Sequence, residues 1–202
     1  MWNYSNIKRF LYIIHWMPAI GEQLLSLLKC NYRDYTNFVE TGSFLGETIM
    51  AMEPLFTNLH TIEIKKDLYD NLVAKNKSDK IQFHLGDSSA ILEKILPTIK
   101  GKSIIFLDAH WSCGITGKGK KDVPLYEELT HIINYHDDAT IIIIDDLRLF
   151  GGGPTKSKVL VNWEDINIEG VVDIVKGRIV DKYILPSDLN EKDRLIIHLR
   201  PK

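Results

Sequence analysis

The sequence predicts an α/β fold: a mostly parallel sheet with helices on both faces. Three observations predict it. Five short apolar runs alternate with stretches of helical periodicity between residues 38 and 146. Two of those runs, Ser103–Leu107 and Ala139–Ile144, are almost continuously apolar, as expected of strands covered on both faces. Each run ends in acidic or polar residues: Glu40, Glu63, Asp87, Asp108, and Asp145 with Asp146. The carboxyl ends of parallel strands share one sheet edge, and ligands bind along it.

The 202 residues, 45% hydrophobic and 26% charged, suit one globular domain with a sizeable core. We read a single domain over 1–202, with a helical cap over 1–32 and the sheet core over 33–202. A net charge of −2 leaves no basic footprint and disfavours nucleic acid as the main partner. Cys30 and Cys113 form neither a metal spacing nor a disulfide framework. No secretory signal is visible, and the apolar run Phe10–Ile14 is too short to span a bilayer. The expected location is cytoplasmic.

Residues 1–30 read as helical. Ile7, Phe10, Leu11 and Ile14 fall at helical spacing, as do Ile20, Leu24, Leu25, Leu27 and Leu28 after Pro18. Packing on the sheet or on a second copy explains them, so a homodimer is an open expectation. Trp2, Tyr4, Tyr12 and Trp16 also suit a cap over a substrate pocket, and an amphipathic membrane-surface helix is a further alternative.

The opening strand runs into Val39-Glu40-Thr41-Gly42-Ser43-Phe44-Leu45-Gly46-Glu47-Thr48. A strand ending in a carboxylate, a glycine turn and a helix start make a nucleotide-type site. Glycine is expected there because a ligand must approach the backbone. Leu59–Ile64 is the second strand, and Glu63 lies 23 residues after Glu40, where an acid can hold ribose hydroxyls. A helix over Lys65–Lys77 presents Leu68, Leu72 and Val73. The third strand, Ile81–Leu85, ends in Gly86-Asp87-Ser88, where Asp87 or Ser88 can cap the next helix and reach an adenine amino group. Ser112–Asp122, with three glycines and three lysines, reads as a mobile loop. Leu125, Leu129, Ile132 and Ile133 are the face of the following helix. Arg178–Leu185 and Arg194–Arg200 are read as an antiparallel pair at the sheet edge.

Asp108, Asp145 and Asp146 close two strands expected to be neighbours. Three converging carboxylates make a hard-oxygen site for Mg²⁺. A cation would also relieve the repulsion among acids gathered on one edge.

Four stretches, in this order, carry a resemblance: Val39-Glu40-Thr41-Gly42 with Gly46; Thr61-Ile62-Glu63-Ile64; Phe106-Leu107-Asp108-Ala109-His110-Trp111; and Ile144-Asp145-Asp146. They resemble class I S-adenosylmethionine-dependent methyltransferases, in particular the metal-dependent catechol O-methyltransferase-like group and macrocin-type sugar O-methyltransferases. The resemblance implies a Rossmann-like seven-stranded sheet with an antiparallel last strand. It implies that Glu40, Gly42 and Ser43 line the methionine part of the cofactor, that Glu63 holds the ribose hydroxyls, and that Asp87 and Ser88 border the adenine. Thr41, Gly46, Thr48, Ile64 and Gly86 would also bind the cofactor, and Asp108 would be catalytic as well as a cofactor and metal contact. Asp108, Asp145 and Asp146 would be the Mg²⁺ ligands.

The sequence departs from that pattern in two places. Catechol-type enzymes have a lysine base right after the His-Trp pair, where this chain has Ser112, and their metal set often ends in Asp-Asn rather than Asp-Asp. His110, an imidazole able to act near neutral pH, is the candidate base, with Lys118, Lys120 and Lys121 as rivals. The expected reaction is methyl transfer from S-adenosyl-L-methionine to a hydroxyl of a small molecule or sugar, aided by Mg²⁺, with the Ser112–Asp122 loop and the N-terminal helices closing out water. Alternatives are a metal-independent N- or carboxyl-methyltransferase, a non-catalytic cofactor-binding subunit, and a dinucleotide oxidoreductase. The last lacks its Gly-x-Gly-x-x-Gly turn.

Overall fold

The computed structural model describes residues 20–156 and 160–202. Seven strands form one sheet in the order β3-β2-β1-β4-β5-β7-β6. They are β1 (Asn37–Thr41), β2 (Asn58–Glu63), β3 (Ile81–Leu85), β4 (Ser103–Leu107), β5 (Thr140–Ile144), β6 (Ile179–Leu185) and β7 (Arg194–Leu199). The first five are mutually parallel, and β7 runs antiparallel to both β5 and β6. The expected late pair is therefore present, but β7 lies inside it and β6 is the edge.

Helices fill the crossovers: α1 (Glu22–Leu25), α2 (Glu47–Met52), α3 (Lys66–Lys75), α4 (Ser88–Ile95), α5 (Leu125–Tyr135) and α6 (Ile168–Val175). Strand alternation sends side chains to opposite layers. Phe38, Ile104, Phe106, Ile141 and Ile143 pack with Ile20, Leu24, Leu25, Ile49 and Met52. Val39, Ile105, Leu107, Ile142 and Ile144 pack with Leu92, Leu96, Leu125, Leu129, Val171 and Val175. The four isoleucines of β5 are all buried, at roughly 1.5–3 kcal/mol each by area. This is why β5 reads as an unbroken apolar run.

The N-terminal reading is corrected in its described part. Ile20, Leu24, Leu25 and Leu28 are buried as expected, but the helix there is the single turn α1, and Leu27 is exposed. Gly21 precedes that turn without a side-chain cap, so the first amides of α1 have no side-chain acceptor there. The spacing read over Ile7–Ile14, and the aromatic residues Trp2 to Trp16, lie outside the described residues. No helix among the described residues is long and apolar enough to cross a membrane.

Register sets the floor of the site. Thr41 pairs with Leu107, and Leu107 with Ile144. The next residues, Gly42, Asp108 and Asp145, thus leave the sheet at one level. The Asp108 amide donates to the Thr41 carbonyl at 3.3 Å, and the Asp145 amide to the Leu107 carbonyl at 3.2 Å.

Candidate active site

The glycine turn after β1 is present, and at Gly42 the fold itself requires a glycine. Its φ is +83°, and a Cβ there would stand 2.6 Å from the Asp108 carbonyl oxygen and 3.1 Å from the Ala109 Cα. The backbone just after β4 therefore requires glycine here in its own right, beside the ligand approach expected from the sequence. Gly46, also left-handed, begins α2 against the Leu72 side chain. Phe44, between them, holds a φ of +48°, which costs a bulky residue about 1–2 kcal/mol. Its amide donates to Glu63 Oε2 at 2.9 Å, a fixed bond that helps to hold the turn.

Glu63 is buried, and its other oxygen accepts from the Lys65 amide at 2.8 Å. Burial raises its pKa, and backbone amides from Lys65 and Phe44 draw it back. Each oxygen keeps a second lone pair, so the carboxylate can still accept from hydroxyls while its orientation is fixed by the backbone. Glu40 is also buried, and accepts from Thr61 Oγ1 at 2.5 Å. Burial dominates there too and pushes its carboxyl well above the usual range. Ser43 completes the cluster through a short hydroxyl contact with Thr61. Thr48 is buried on α2. Thr41 accepts the Asp108 amide at its hydroxyl, 3.3 Å away.

Behind β3, Gly86 leads into Asp87, whose Oδ1 caps α4 by accepting from the Ser89 amide at 3.1 Å. Ser88 is buried at the first position of α4 and its hydroxyl has no geometric hydrogen-bond partner.

The end of β4 and the end of β5 meet at His110. Its Nδ1 lies 3.4 Å from Asp108 Oδ1, its Nε2 lies 3.1 Å from Asp146 Oδ2, and the Ser112 hydroxyl stands 2.9 Å from Nε2. The ring packs on Trp163 at 5.1 Å between centroids. Burial would lower the His110 pKa, but Asp108 and then Asp146 and Asp145 outweigh it, and the net shift is upward from 6.5. Burial raises Asp108, with His110 pulling against it. Asp145 is pushed up to about 7 by burial and by Asp108, and Arg194 lies 3.4 Å away in opposition.

Ligand-type atoms converge in two overlapping groups among the described residues: Asp108, His110 and Asp146, and Asp145, Asp146 and Asp193, each within 4.8 Å. The expected trio of Asp108, Asp145 and Asp146 is divided between them. The acids are also not unpartnered. Arg148 Nη1 bridges Asp146 and Asp193, and Arg194 faces Asp145. Asp146 takes the left-handed conformation, with φ +61°, which asparagine and aspartate tolerate better than most residues. This turn aims Asp146 and Arg148 at one another.

Five residues of this site were not read from the sequence: Arg148, Asp193, Arg194, Trp163 and Glu128. Glu128, on α5, is 1% exposed and lines a small cavity with Asp108, Ala109, His110, Asp145 and Trp163. Its Oε1 meets no geometric donor, although the Ser88 and Thr41 hydroxyls are close enough to hold its pKa down. Burial wins and raises it from 4.5 to about 7. A carboxyl raised in the folded state loses stability as pH climbs from its unfolded value through its folded one. Glu128→Gln is therefore expected to exceed the wild type in stability at about pH 8, by up to about 3 kcal/mol, and not at about pH 4. Urea unfolding at the two pH values checks this; an equal difference at both would remove Glu128 as the titrating group.

No family profile matches the chain, and no curated protein is significantly similar to it in sequence. Solved structures are similar in fold. The O-methyltransferase TomG from Streptomyces achromogenes, solved with S-adenosylmethionine, superposes with a TM-score of 0.58 at 16% identity, over 84% of this chain and 75% of that one. The N-methyltransferase NodS from Bradyrhizobium japonicum gives 0.55 at 11% identity, over 89% and 93%. An rRNA methylase from Streptococcus thermophilus gives 0.50 at 12% identity, over 84% and 89%. The chain thus has the Rossmann-like fold shared by these methyltransferases, which differ in the atom they methylate.

Proposed function

We propose that the protein is an S-adenosylmethionine-dependent methyltransferase acting on a hydroxyl of a small molecule, with His110 as the proton acceptor. One observation carries the reading: an imidazole held between carboxylates at the ends of β4 and β5, on the sheet edge that also bears the β1 glycine turn. S-adenosylmethionine supplies a methyl already activated on a sulfonium. The chain's work is then alignment and proton transfer, and alignment alone is worth ~7–11 kcal/mol. Glu40, Thr41, Gly42, Ser43, Gly46 and Thr48 would wall the methionine end, Glu63 and Ile64 the ribose, and Gly86, Asp87 and Ser88 the adenine. Asp108 holds the imidazole through Nδ1, and the acceptor hydroxyl would meet Nε2 by taking the place that Asp146 Oδ2 holds at 3.1 Å. The Ser112 hydroxyl marks that position, because it already sits at hydrogen-bond distance from Nε2. As the carbon–oxygen bond forms and the carbon–sulfur bond breaks, Nε2 takes the hydroxyl proton.

The Mg²⁺ expected from the sequence does not fit this arrangement. The all-oxygen group of Asp145, Asp146 and Asp193 has the Arg148 guanidinium on two of its three members. A second reading is favoured by the other group: Asp108, His110 and Asp146 offer a mixed imidazole–carboxylate set, which suits a transition metal better than Mg²⁺. No step above depends on it. The fold leaves the acceptor class open, and the sugar or catechol diol expected from the sequence is the first class to screen.

Calorimetric titration with S-adenosylhomocysteine tests the proposal. Saturable one-site binding in the micromolar range, about −8 kcal/mol, is expected. Absence of binding to folded protein sinks the methyltransferase reading. A repeat with Mn²⁺ or Zn²⁺ separates the two forms of the site, since a metal heat lost in Asp146→Ala would favour the second.

A further inference from the structure

The loop between β4 and α5 is seated over the cofactor half of the edge, not the acceptor half. Its base is closed by the Trp111 amide donating to the Asp122 carbonyl at 2.8 Å, and by Lys118, which pairs with Asp122 at 2.9 Å and lies 3.9 Å above the Trp111 ring. Its far side reaches across to the ends of β2 and β3. Lys65 Nζ donates to the Ile115 carbonyl at 2.6 Å. Gly117 presses on Ile64 and on the Lys65 backbone. A Cβ on Gly119 would stand 2.7 Å from Asp87 Oδ2 and 3.3 Å from Ile64 Cδ1. The Lys120 amide points at Asp87 Oδ2, 3.4 Å away. Two glycines two positions apart both meet Ile64, Gly119 also meets Asp87, and at neither is there room for a methyl group.

We propose that residues 112–122 are the outer wall of the adenosyl pocket: Gly117, Gly119 and Lys120 close on Ile64 and Asp87, and the strap must lift for the nucleoside to enter or leave. The inference rests on the methyltransferase reading and adds three cofactor-site residues to it. It also argues against Lys118 and Lys121 as rivals for the base. Lys118 is tied to Asp122 and Lys121 to Glu127, while the Lys120 backbone faces Asp87 and its amine stays a rival.

The three lysines make the loop its own reporter, because all are exposed to trypsin in the free protein. S-adenosylhomocysteine is expected to slow cleavage after Lys118, Lys120 and Lys121 in the wild type. Gly119→Val cannot seat on Asp87, so its S-adenosylhomocysteine dissociation, followed by stopped flow, is expected to be faster by about tenfold with association little changed. Lys65→Met removes the Ile115 anchor without touching the loop's own sequence, and is expected to move dissociation the same way, so the test does not hang on the folding of one variant. Cleavage unchanged or accelerated by S-adenosylhomocysteine, or dissociation at the wild-type rate in both variants, overturns the wall. Failure of the wild type to bind S-adenosylhomocysteine at all falls on the methyltransferase reading instead, since the loop could not cause it in a variant-independent way.

Discussion

His110→Gln is expected to lower methyl transfer by roughly 10²–10⁴-fold, while S-adenosylhomocysteine still binds within a few-fold of wild type. Glutamine is of similar length and its amide can donate to one of the two carboxylates, but it cannot take up a proton. The pH profile separates this from a packing effect. The carboxylates around His110 raise its pKa above 6.5, against the pull of burial. Only the neutral ring accepts a proton, so wild-type turnover should climb with pH and level off above that raised value. The glutamine variant should lose that limb. Methyl-labelled cofactor presented to a panel of diols and catechols gives the measurement. A variant retaining most of its activity, or showing the same rising limb, would take the base role from His110 and leave it as an ion-pair partner on Trp163.

Much of the fold is legible in the sequence because the central strands have no competing interpretation. Ser103–Leu107 is bounded as read, β5 differs by one residue, and even the edge strand Ile81–Leu85 is bounded as read. A run such as Ile141–Ile144, buried on both sides, leaves no polar face to confuse the period. The insertion of β7 between β5 and β6 was not readable, because alternation says that a strand is half-buried and not which neighbour it has. In fact β7 is buried along most of its length and β6 alternates, which places the edge at β6. The short α1 was missed for a related reason: apolar spacing over Ile20–Leu28 fits any segment that must bury Leu24, Leu25 and Leu28, and a turn does so as well as a helix.

The site was legible where chemistry follows strand ends and illegible where it depends on returning chain. Glu40, Glu63, Asp108 and Asp145 could be placed because each follows an apolar strand. Their partners could not. Asp193 lies in the connection just before β7, and reaches Arg148 only because β7 runs beside β5. Trp163 arrives from the segment after the glycine loop to cover His110. Glu128 sits in an otherwise apolar stripe of α5, where a carboxylate would ordinarily be assigned to solvent. The expectation of Mg²⁺ rested on acids without counter-charges. Two arginines, one supplied by β7, provide those charges.

The pairing of these acids with arginine has a measurable consequence at Arg148. Its guanidinium joins Asp146 to Asp193, and Asp193 is wholly buried. Asp193 also accepts from the Ser187 hydroxyl and, at 3.3 Å, from the Arg148 amide, and its own carbonyl takes the Leu147 amide at 2.8 Å. It therefore holds the β6–β7 connection against the end of β5. Removing one partner of a buried pair leaves the other charged without compensation, which typically costs about 3–5 kcal/mol. Arg148→Ala is expected to lose that much in urea unfolding, or roughly 6–20 °C in melting temperature for a chain of this size. Asp193→Asn added to Arg148→Ala should recover part of the loss, because the uncompensated charge is gone. The same variant examines the vacated oxygens. With the guanidinium removed, Asp145, Asp146 and Asp193 become an all-oxygen group within 4.8 Å, the kind of set Mg²⁺ prefers. Mg²⁺ should then raise the melting temperature of Arg148→Ala, by an amount set by its occupancy of the folded state, and leave the wild type unmoved. Stabilisation of the wild type by Mg²⁺ would show that the ion and the arginine do not compete, and would restore the metal expected from the three strand-end aspartates.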